Sequence, residues 1–194
     1  MIRDNALNTS GLISNRMGGG GSKPYDLTES FKPMGHDKDE GLYRRSVYTF
    51  WKRTGPAPAM MALDASKRDV CRAKREITAT PLQALVLMNG PQFVEAARKL
   101  GEAMVRKHGE NIESIVREIF RKLTSREPSD SEFALILQLH EEQLVHFEKD
   151  AKATDSFLRT GASPEPGGLV KPRVAAAGIV AKALMNFDEV VIKR

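Results

Sequence analysis

Apolar residues recur at intervals of three and four positions through most of the chain after residue 80, which is the spacing of one face of an α-helix. The pattern predicts helices that begin at Pro81 and at Pro91, a third over residues 112–123, a fourth that opens at Ser129 and a last one over residues 172–186. Between the last two, glycines and prolines interrupt the pattern, and they predict a loop over about residues 160–172.

Two of these helix starts carry an independent signal. Thr80-Pro81-Leu82-Gln83 places a hydroxyl at the N-cap, proline at the first helical position and glutamine two positions later, which is the pattern of a capping box. Ser129 and Glu132 repeat the arrangement before the fourth helix. We therefore assign structural roles to Thr80, Pro81 and Gln83.

The first 80 residues are less regular. Residues 1–41 contain Gly18-Gly19-Gly20-Gly21 and several prolines, which disfavour regular elements, although a short helix over residues 3–12 fits. From residue 42 the aromatic and branched side chains fall on one face of a helix, with a strand as the open alternative: Tyr43, Val47, Phe50 and Trp51.

Together these patterns predict an all-α fold, in which an irregular N-terminal segment of residues 1–41 wraps on a bundle of about five helices. The helical domain covers residues 42–194 and forms one folding unit with residues 1–41. No apolar run approaches the roughly 20 residues that a membrane span needs, and the first residues lack the apolar stretch of a signal peptide.

Positive charge is concentrated in one stretch of the chain. Of the net charge of +5, residues 42–75 supply nine Lys and Arg against two Asp, which gives +7, whereas the flanking segments each sum to −1. Five arginines of this stretch are candidates for binding an anion, because guanidinium groups bind phosphate, sulfate and carboxylate: Arg44, Arg45, Arg53, Arg72 and Arg75. The competing and favoured interpretation is that they brace a loop-rich region through Asp64 and helix carbonyls.

No reactive constellation emerges from the other residue types. The glycine run is not followed by the Gly-Lys-Ser/Thr order of a phosphate-binding loop, and the four histidines lack metal-ligand spacing, so we expect no metal site and no cofactor in this chain. Cys71 has basic neighbours that would activate a thiol, but no base to partner it, so we favour a structural, half-buried cysteine in a turn.

Several segments together resemble one known family. The motifs are Tyr43-Arg44-Arg45-Ser46-Val47-Tyr48-Thr49-Phe50-Trp51-Lys52-Arg53-Thr54, Leu63-Asp64-Ala65, Arg75-Glu76-Ile77-Thr78-Ala79-Thr80-Pro81-Leu82-Gln83, Phe93-Val94-Glu95-Ala96-Ala97-Arg98, Arg126-x-Pro128 and Asn186-Phe187-Asp188-Glu189. They closely resemble the planctomycete-specific domain of unknown function found in large secreted proteins that are associated with cytochrome c.

The resemblance implies that the chain is the C-terminal part of a longer, extracytoplasmic protein, periplasmic or secreted, with an upstream helical domain as its partner. It implies no haem role, because the haem-attachment motif does not occur here. The sequence therefore predicts a non-catalytic helical scaffold or interaction domain. The alternative is an enzyme or binding domain for acidic polysaccharide that uses the basic residues 42–75, and whether the chain catalyses any reaction stays open. An anionic glycan is the second candidate partner, and nucleic acid is disfavoured.

Overall fold

The computed structural model describes residues 1–24, 27–29, 32–52, 56–66, 71, 73–74 and 78–191. For residues 27–29 and 32–34 it describes the backbone alone. Its elements, in chain order, are mostly helical, which confirms the all-α prediction. They are α1 (Ile2–Thr9), β1 (Leu27–Glu29), β2 (Lys32–Met34), α2 (Pro58–Ala62), α3 (Pro81–Asn89), α4 (Pro91–His108), α5 (Ile112–Thr124), α6 (Asp130–Lys149), α7 (Ala151–Leu158), α8 (Lys171–Met185) and α9 (Asp188–Val191).

The chain divides into two compact units, each with its own internal contacts. One contains residues 13–86 together with Met1, and the other contains residues 2–12 and 87–194. The organisation expected from the sequence, an irregular segment of residues 1–41 in one folding unit with a helical domain of residues 42–194, stays a prediction. Among the described residues, no helix is both long enough and apolar enough to cross a membrane.

The core of the second unit is built around α8, which contacts α4, α5, α6, α7 and α9. Its residues 174–178, 180 and 181 are all buried, so the helix is apolar on every side, as expected for a helix at the centre of a bundle. Small side chains dominate this helix, and they let the neighbouring helices approach closely.

The closest approach occurs where α4 crosses α8. A Cβ placed on Gly101 would lie 2.5 Å from the backbone nitrogen and 2.9 Å from the Cα of Gly178. Backbone thus meets backbone at this crossing, and glycine is required on α4 for steric reasons.

Helix starts follow the sequence prediction closely. Ser129 caps α6 with a complete capping box, in which its hydroxyl accepts from the Glu132 N–H and the Glu132 carboxylate accepts from the Ser129 N–H. At α3 the Gln83 N–H donates to the Thr80 hydroxyl at 3.3 Å, and the Thr80 N–H donates to the Gln83 side-chain oxygen at 3.3 Å. Both capping boxes are confirmed.

The aromatic stretch after residue 42 forms neither the predicted helix nor a full strand. It consists of two short 3-10 turns, Asp39–Tyr43 and Ser46–Tyr48, followed by extended backbone. The reason is a pairing distant in sequence: the Ser22 N–H donates to the Tyr48 carbonyl, and the Phe50 N–H donates to the Ser22 carbonyl, both at 2.7 Å. These bonds take the backbone groups that a helix would use internally.

Three further elements differ from the sequence reading. The strands β1 and β2 pair in an antiparallel arrangement, with Leu27 opposite Met34, inside the segment predicted to be irregular. The helix α7 was missed, since Asp150 ends α6 and caps a new helix by accepting from the Ala153 N–H. The apolar face that the helical spacing of α6 predicts is largely half-buried, since of Phe133, Ile136, Leu137, Leu144 and Phe147 only Phe147 is buried, together with His140.

His140 is a buried titratable group without a polar environment. Its side chain is 1 % exposed, and neither ring nitrogen has a hydrogen-bond partner among the described residues. Burial lowers the pKa of His140 below its ordinary 6.5, because the charged imidazolium would lose its hydration.

We predict that Gly101→Ala destabilises the protein, although alanine favours helix over glycine by about 1 kcal/mol at an unconstrained site. The new methyl group must push α4 away from the α8 backbone, which costs about 1–3 kcal/mol for overpacking. Chemical denaturation should show this loss. Gly167→Ala, where a Cβ meets no atom within 4 Å, is the control, and a Gly101→Ala protein as stable as wild type would contradict the crossing geometry.

We predict that stability falls as the pH drops below about 6.5 because of His140. At pH values below 6.5, the pKa expected for His140 in the unfolded chain, the unfolded state binds a proton that the folded state does not bind, so protonation favours unfolding. At pH values above 6.5 His140 is neutral in both states, and its effect on stability vanishes. His140→Met should flatten the change in free energy of unfolding between neutral and mildly acidic pH. The exposed His146→Gln is the control, and equal pH dependence in both variants would refute the assignment.

Candidate functional site

Arg44, the first of the anion-binding candidates, lies inside the glycine-rich turn. Its side chain is buried, its Nη1 donates to the Gly20 carbonyl at 2.7 Å, and its Nη2 donates to the Gly18 carbonyl. The guanidinium carbon lies 4.1 Å from the centroid of the Tyr48 ring, a cation–π contact. The positive charge of Arg44 is therefore engaged within the protein.

The same arrangement explains the glycine run. The Gly18 N–H donates to the Tyr48 hydroxyl at 2.9 Å, while the carbonyls of Gly18 and Gly20 point at Arg44. A phosphate-binding loop presents N–H groups to an external anion, whereas this turn presents carbonyls to an internal cation. The turn fits a structural role.

The other anion-binding candidates are not brought together with Arg44. Arg45, the neighbouring residue, is exposed. Arg53, Arg72 and Arg75 lie outside the described residues. Cys71 is exposed rather than half-buried as expected.

Asp64 anchors a polar network at the start of α3. Its carboxylate accepts from the Thr78 N–H at 2.7 Å, from the Thr78 hydroxyl at 2.8 Å and from the Gln83 amide at 3.0 Å. Gln83 is itself buried, and its amide also donates to the Thr78 hydroxyl at 2.9 Å. The described partners of Asp64 are thus Thr78 and Gln83, and the network links residue 64 to residue 78 and to the start of α3.

The hydrogen bonds keep Asp64 ionised. Desolvation raises its pKa, but donation from the Thr78 N–H, the Thr78 hydroxyl and Gln83 outweighs this, and the pKa of Asp64 lies below its ordinary 3.8. An ionised carboxylate with these partners is acceptor-only, which suits an anchor and removes Asp64 as a proton donor at neutral pH.

A second network, which sequence reasoning missed, holds the loop between α7 and α8. Glu95 is buried and accepts from the N–H groups of Ala162 at 3.0 Å and Ser163 at 2.6 Å. Arg98 is fully buried and donates to the carbonyls of Ser163 at 2.9 Å and Pro164 at 3.0 Å. The available signal was the presence of Glu95 and Arg98 among the apolar residues of α4.

A third network joins two of the quoted motifs that are far apart in sequence. Arg126 donates to both carboxylate oxygens of Glu132, at 2.6 and 2.8 Å, and to Glu189 at 2.8 Å, and it lies over the Phe120 ring. The Arg126 bonds, followed by the Ser129 N–H and hydroxyl, lower the pKa of Glu132 to about 2. Arg126 thereby connects the end of α5, the start of α6 and α9.

Each charged cluster described above is closed by its own hydrogen bonds, and within the described ranges no group of three or more His, Cys, Asp or Glu side chains could hold a metal ion. These arrangements tie loops and helix ends to the helices.

Comparison with known proteins gives one finding. The model of the PSD1 family, described as a protein of unknown function (DUF1553), matches residues 1–140, well over half of the chain. The chain belongs to the PSD1 family. No curated protein and no solved structure matches it. The part matched to PSD1 includes the Arg44 turn, the Asp64 network, and Glu95 and Arg98.

We predict that Arg44→Ala lowers the free energy of unfolding by about 2–4 kcal/mol, because two charge-assisted hydrogen bonds are lost and two carbonyls lose their partner. Arg45→Ala removes the same charge from an exposed neighbour and should change stability by less than about 0.5 kcal/mol. Chemical denaturation of both variants compares them directly. Equal effects would show that the Arg44 contacts do not stabilise the turn.

We predict that Thr80→Ala costs about 1 kcal/mol, because the Gln83 N–H loses its capping acceptor. Thr80→Ser keeps the hydroxyl and should retain most of the stability. An unchanged melting temperature in Thr80→Ala would mean that the hydroxyl does not act as a cap.

Proposed function

We propose that this PSD1-family chain is a non-catalytic helical scaffold and interaction domain of a larger extracytoplasmic protein, of the planctomycete type that is associated with cytochrome c. It works without a cofactor of its own, and its partner is the region that precedes it in the full-length protein. The secreted location and the cytochrome association rest on the motif resemblance.

The observation that carries the proposal is the internal use of Arg44. Arginines that converge on an open cleft would favour a ligand-binding function. The Arg44 side chain instead contacts two carbonyls and an aromatic ring of its own unit. In the other unit, Arg98 and Arg126 likewise donate hydrogen bonds to groups of the protein itself. Arg44, one of the five arginines that the sequence offered as anion ligands, is thus used to hold the fold.

The alternative function is recognition or cleavage of acidic polysaccharide by the basic residues 42–75. Arg44 is not available for that function, because its guanidinium group contacts the protein itself. Among its candidates that the structure describes, Arg45 is the one left exposed. The scaffold function is therefore the better supported of the two.

The scaffold proposal is tested on the full-length protein. Chemical crosslinking followed by mass spectrometry should give crosslinks between this chain and the preceding region, and fractionation of cells should place the protein outside the cytoplasm. Purified protein incubated with sulfated and carboxylated polysaccharides should release no new reducing ends. Turnover that disappears in Arg45→Ala or Arg75→Ala with the fold intact would overturn the proposal in favour of an enzyme.

A further inference from the structure

Met17, at the start of the glycine-rich turn, combines an exposed side chain with a hydroxyl donor beside its sulfur. The residue is 70 % exposed, and its Sδ lies 3.9 Å from the Tyr48 hydroxyl, which donates toward it. Met104 and Met185, by contrast, are buried. The Met17 side chain is thus open to a small reagent in solution while it contacts a polar group of the fold.

The backbone on both sides fixes Met17 near Tyr48. Before Met17, the Ser14 N–H donates to the Tyr43 carbonyl at 2.9 Å, and after it the Ser22 N–H donates to the Tyr48 carbonyl at 2.7 Å. Met17 therefore lies between two points at which its segment is attached to the segment that carries Tyr48. The contact between its sulfur and the Tyr48 hydroxyl belongs to the folded turn.

The Tyr48 hydroxyl has a weak acceptor in this thioether. Thioether sulfur accepts hydrogen bonds weakly, and the separation of 3.9 Å exceeds the roughly 2.7–2.8 Å of an O–H···O bond. The same hydroxyl oxygen accepts from the Gly18 N–H at 2.9 Å. An oxygen attached to the Met17 sulfur would occupy the gap and give the Tyr48 hydroxyl a strong acceptor.

Hydrogen peroxide can supply such an oxygen. A lone pair of the thioether sulfur attacks one peroxide oxygen, the S–O bond forms as the O–O bond breaks, and the second oxygen leaves as water with both peroxide hydrogens. Sulfur is oxidised by two electrons and peroxide is reduced by two, which gives methionine sulfoxide and one water. The product side chain carries a polar oxygen where the thioether was apolar.

We propose that Met17 is a site of peroxide modification whose sulfoxide accepts a hydrogen bond from the Tyr48 hydroxyl, so that oxidation tightens the turn that holds Arg44. This inference does not depend on the proposed scaffold function. The new bond polarises the Tyr48 hydroxyl and makes its oxygen a better acceptor for the Gly18 N–H. Because Met17 is exposed, the added polarity does not disrupt a core, as it would at Met104.

The test treats the full chain with hydrogen peroxide and follows each methionine by peptide mapping and mass spectrometry. We expect Met17 to be converted at least about tenfold faster than Met104, which is 4 % exposed. Conversion should raise the melting temperature by about 2–4 °C, the shift of one added hydrogen bond in a chain of this size. Amide exchange at Gly18, followed by NMR, should slow by at least about threefold.

Two variants separate the modification from its recognition, each compared before and after peroxide. Tyr48→Phe keeps the ring beside Arg44 but lacks the hydroxyl, so Met17 should oxidise at the wild-type rate without a rise in melting temperature. Met17→Leu reports any shift that comes from the other methionines. Methionine sulfoxide reductases regenerate the thioether and should return the wild-type melting temperature to its starting value.

Four results would overturn the inference. They are conversion of Met17 no faster than that of Met104, an unchanged or lower melting temperature after conversion at Met17, an equal rise in Tyr48→Phe, and an equal rise in Met17→Leu. The first would show that the Met17 sulfur is not accessible to peroxide. The second and third would show that Tyr48 does not bind the sulfoxide, and the fourth would assign the effect to another methionine.

Discussion

In helices and strands, the backbone groups hydrogen-bond to one another. In the loops of this protein, charged side chains supply the hydrogen bonds to the backbone instead. A buried carbonyl or N–H without a partner costs a free energy comparable to a lost hydrogen bond, so an irregular segment next to a core needs external partners. Arg44 supplies them to the carbonyls of Gly18 and Gly20, and Arg98 supplies them to Ser163 and Pro164. Each compact unit thus contains an arginine that closes one loop.

Carboxylates complement this role by accepting from loop N–H groups. Asp64 binds the N–H of Thr78, and Glu95 binds two consecutive N–H groups at Ala162 and Ser163. Because these charges are satisfied by fixed backbone dipoles, they are poorly available to an outside ligand. The same physical requirement explains why Arg44 and Arg98 lie beside irregular backbone.

The polar network at α3 has a consequence beyond stability. Fixing Gln83 inward turns leucines toward solvent, so the hydrogen bonds that order the segment around Asp64 also determine which face the helix offers. In the second unit, by contrast, most apolar residues of α8 are buried.

The sequence by itself determined five of the seven described helices after residue 80, the capping boxes at Thr80 and Ser129, and the helical class, since these depend on contacts within a few residues of the chain. Only the tertiary structure decided what the charged residues do. Arg98 meets Ser163 across 65 residues and Arg126 meets Glu189 across 63, while Arg44 meets Gly18 across 26. A local pattern indicates how a helix starts. It does not indicate the partner of an arginine, because the partner of a long side chain depends on which distant backbone the fold places beside it. The same limit explains the extended backbone around Tyr48, where pairing with Ser22 overrode a helical stripe.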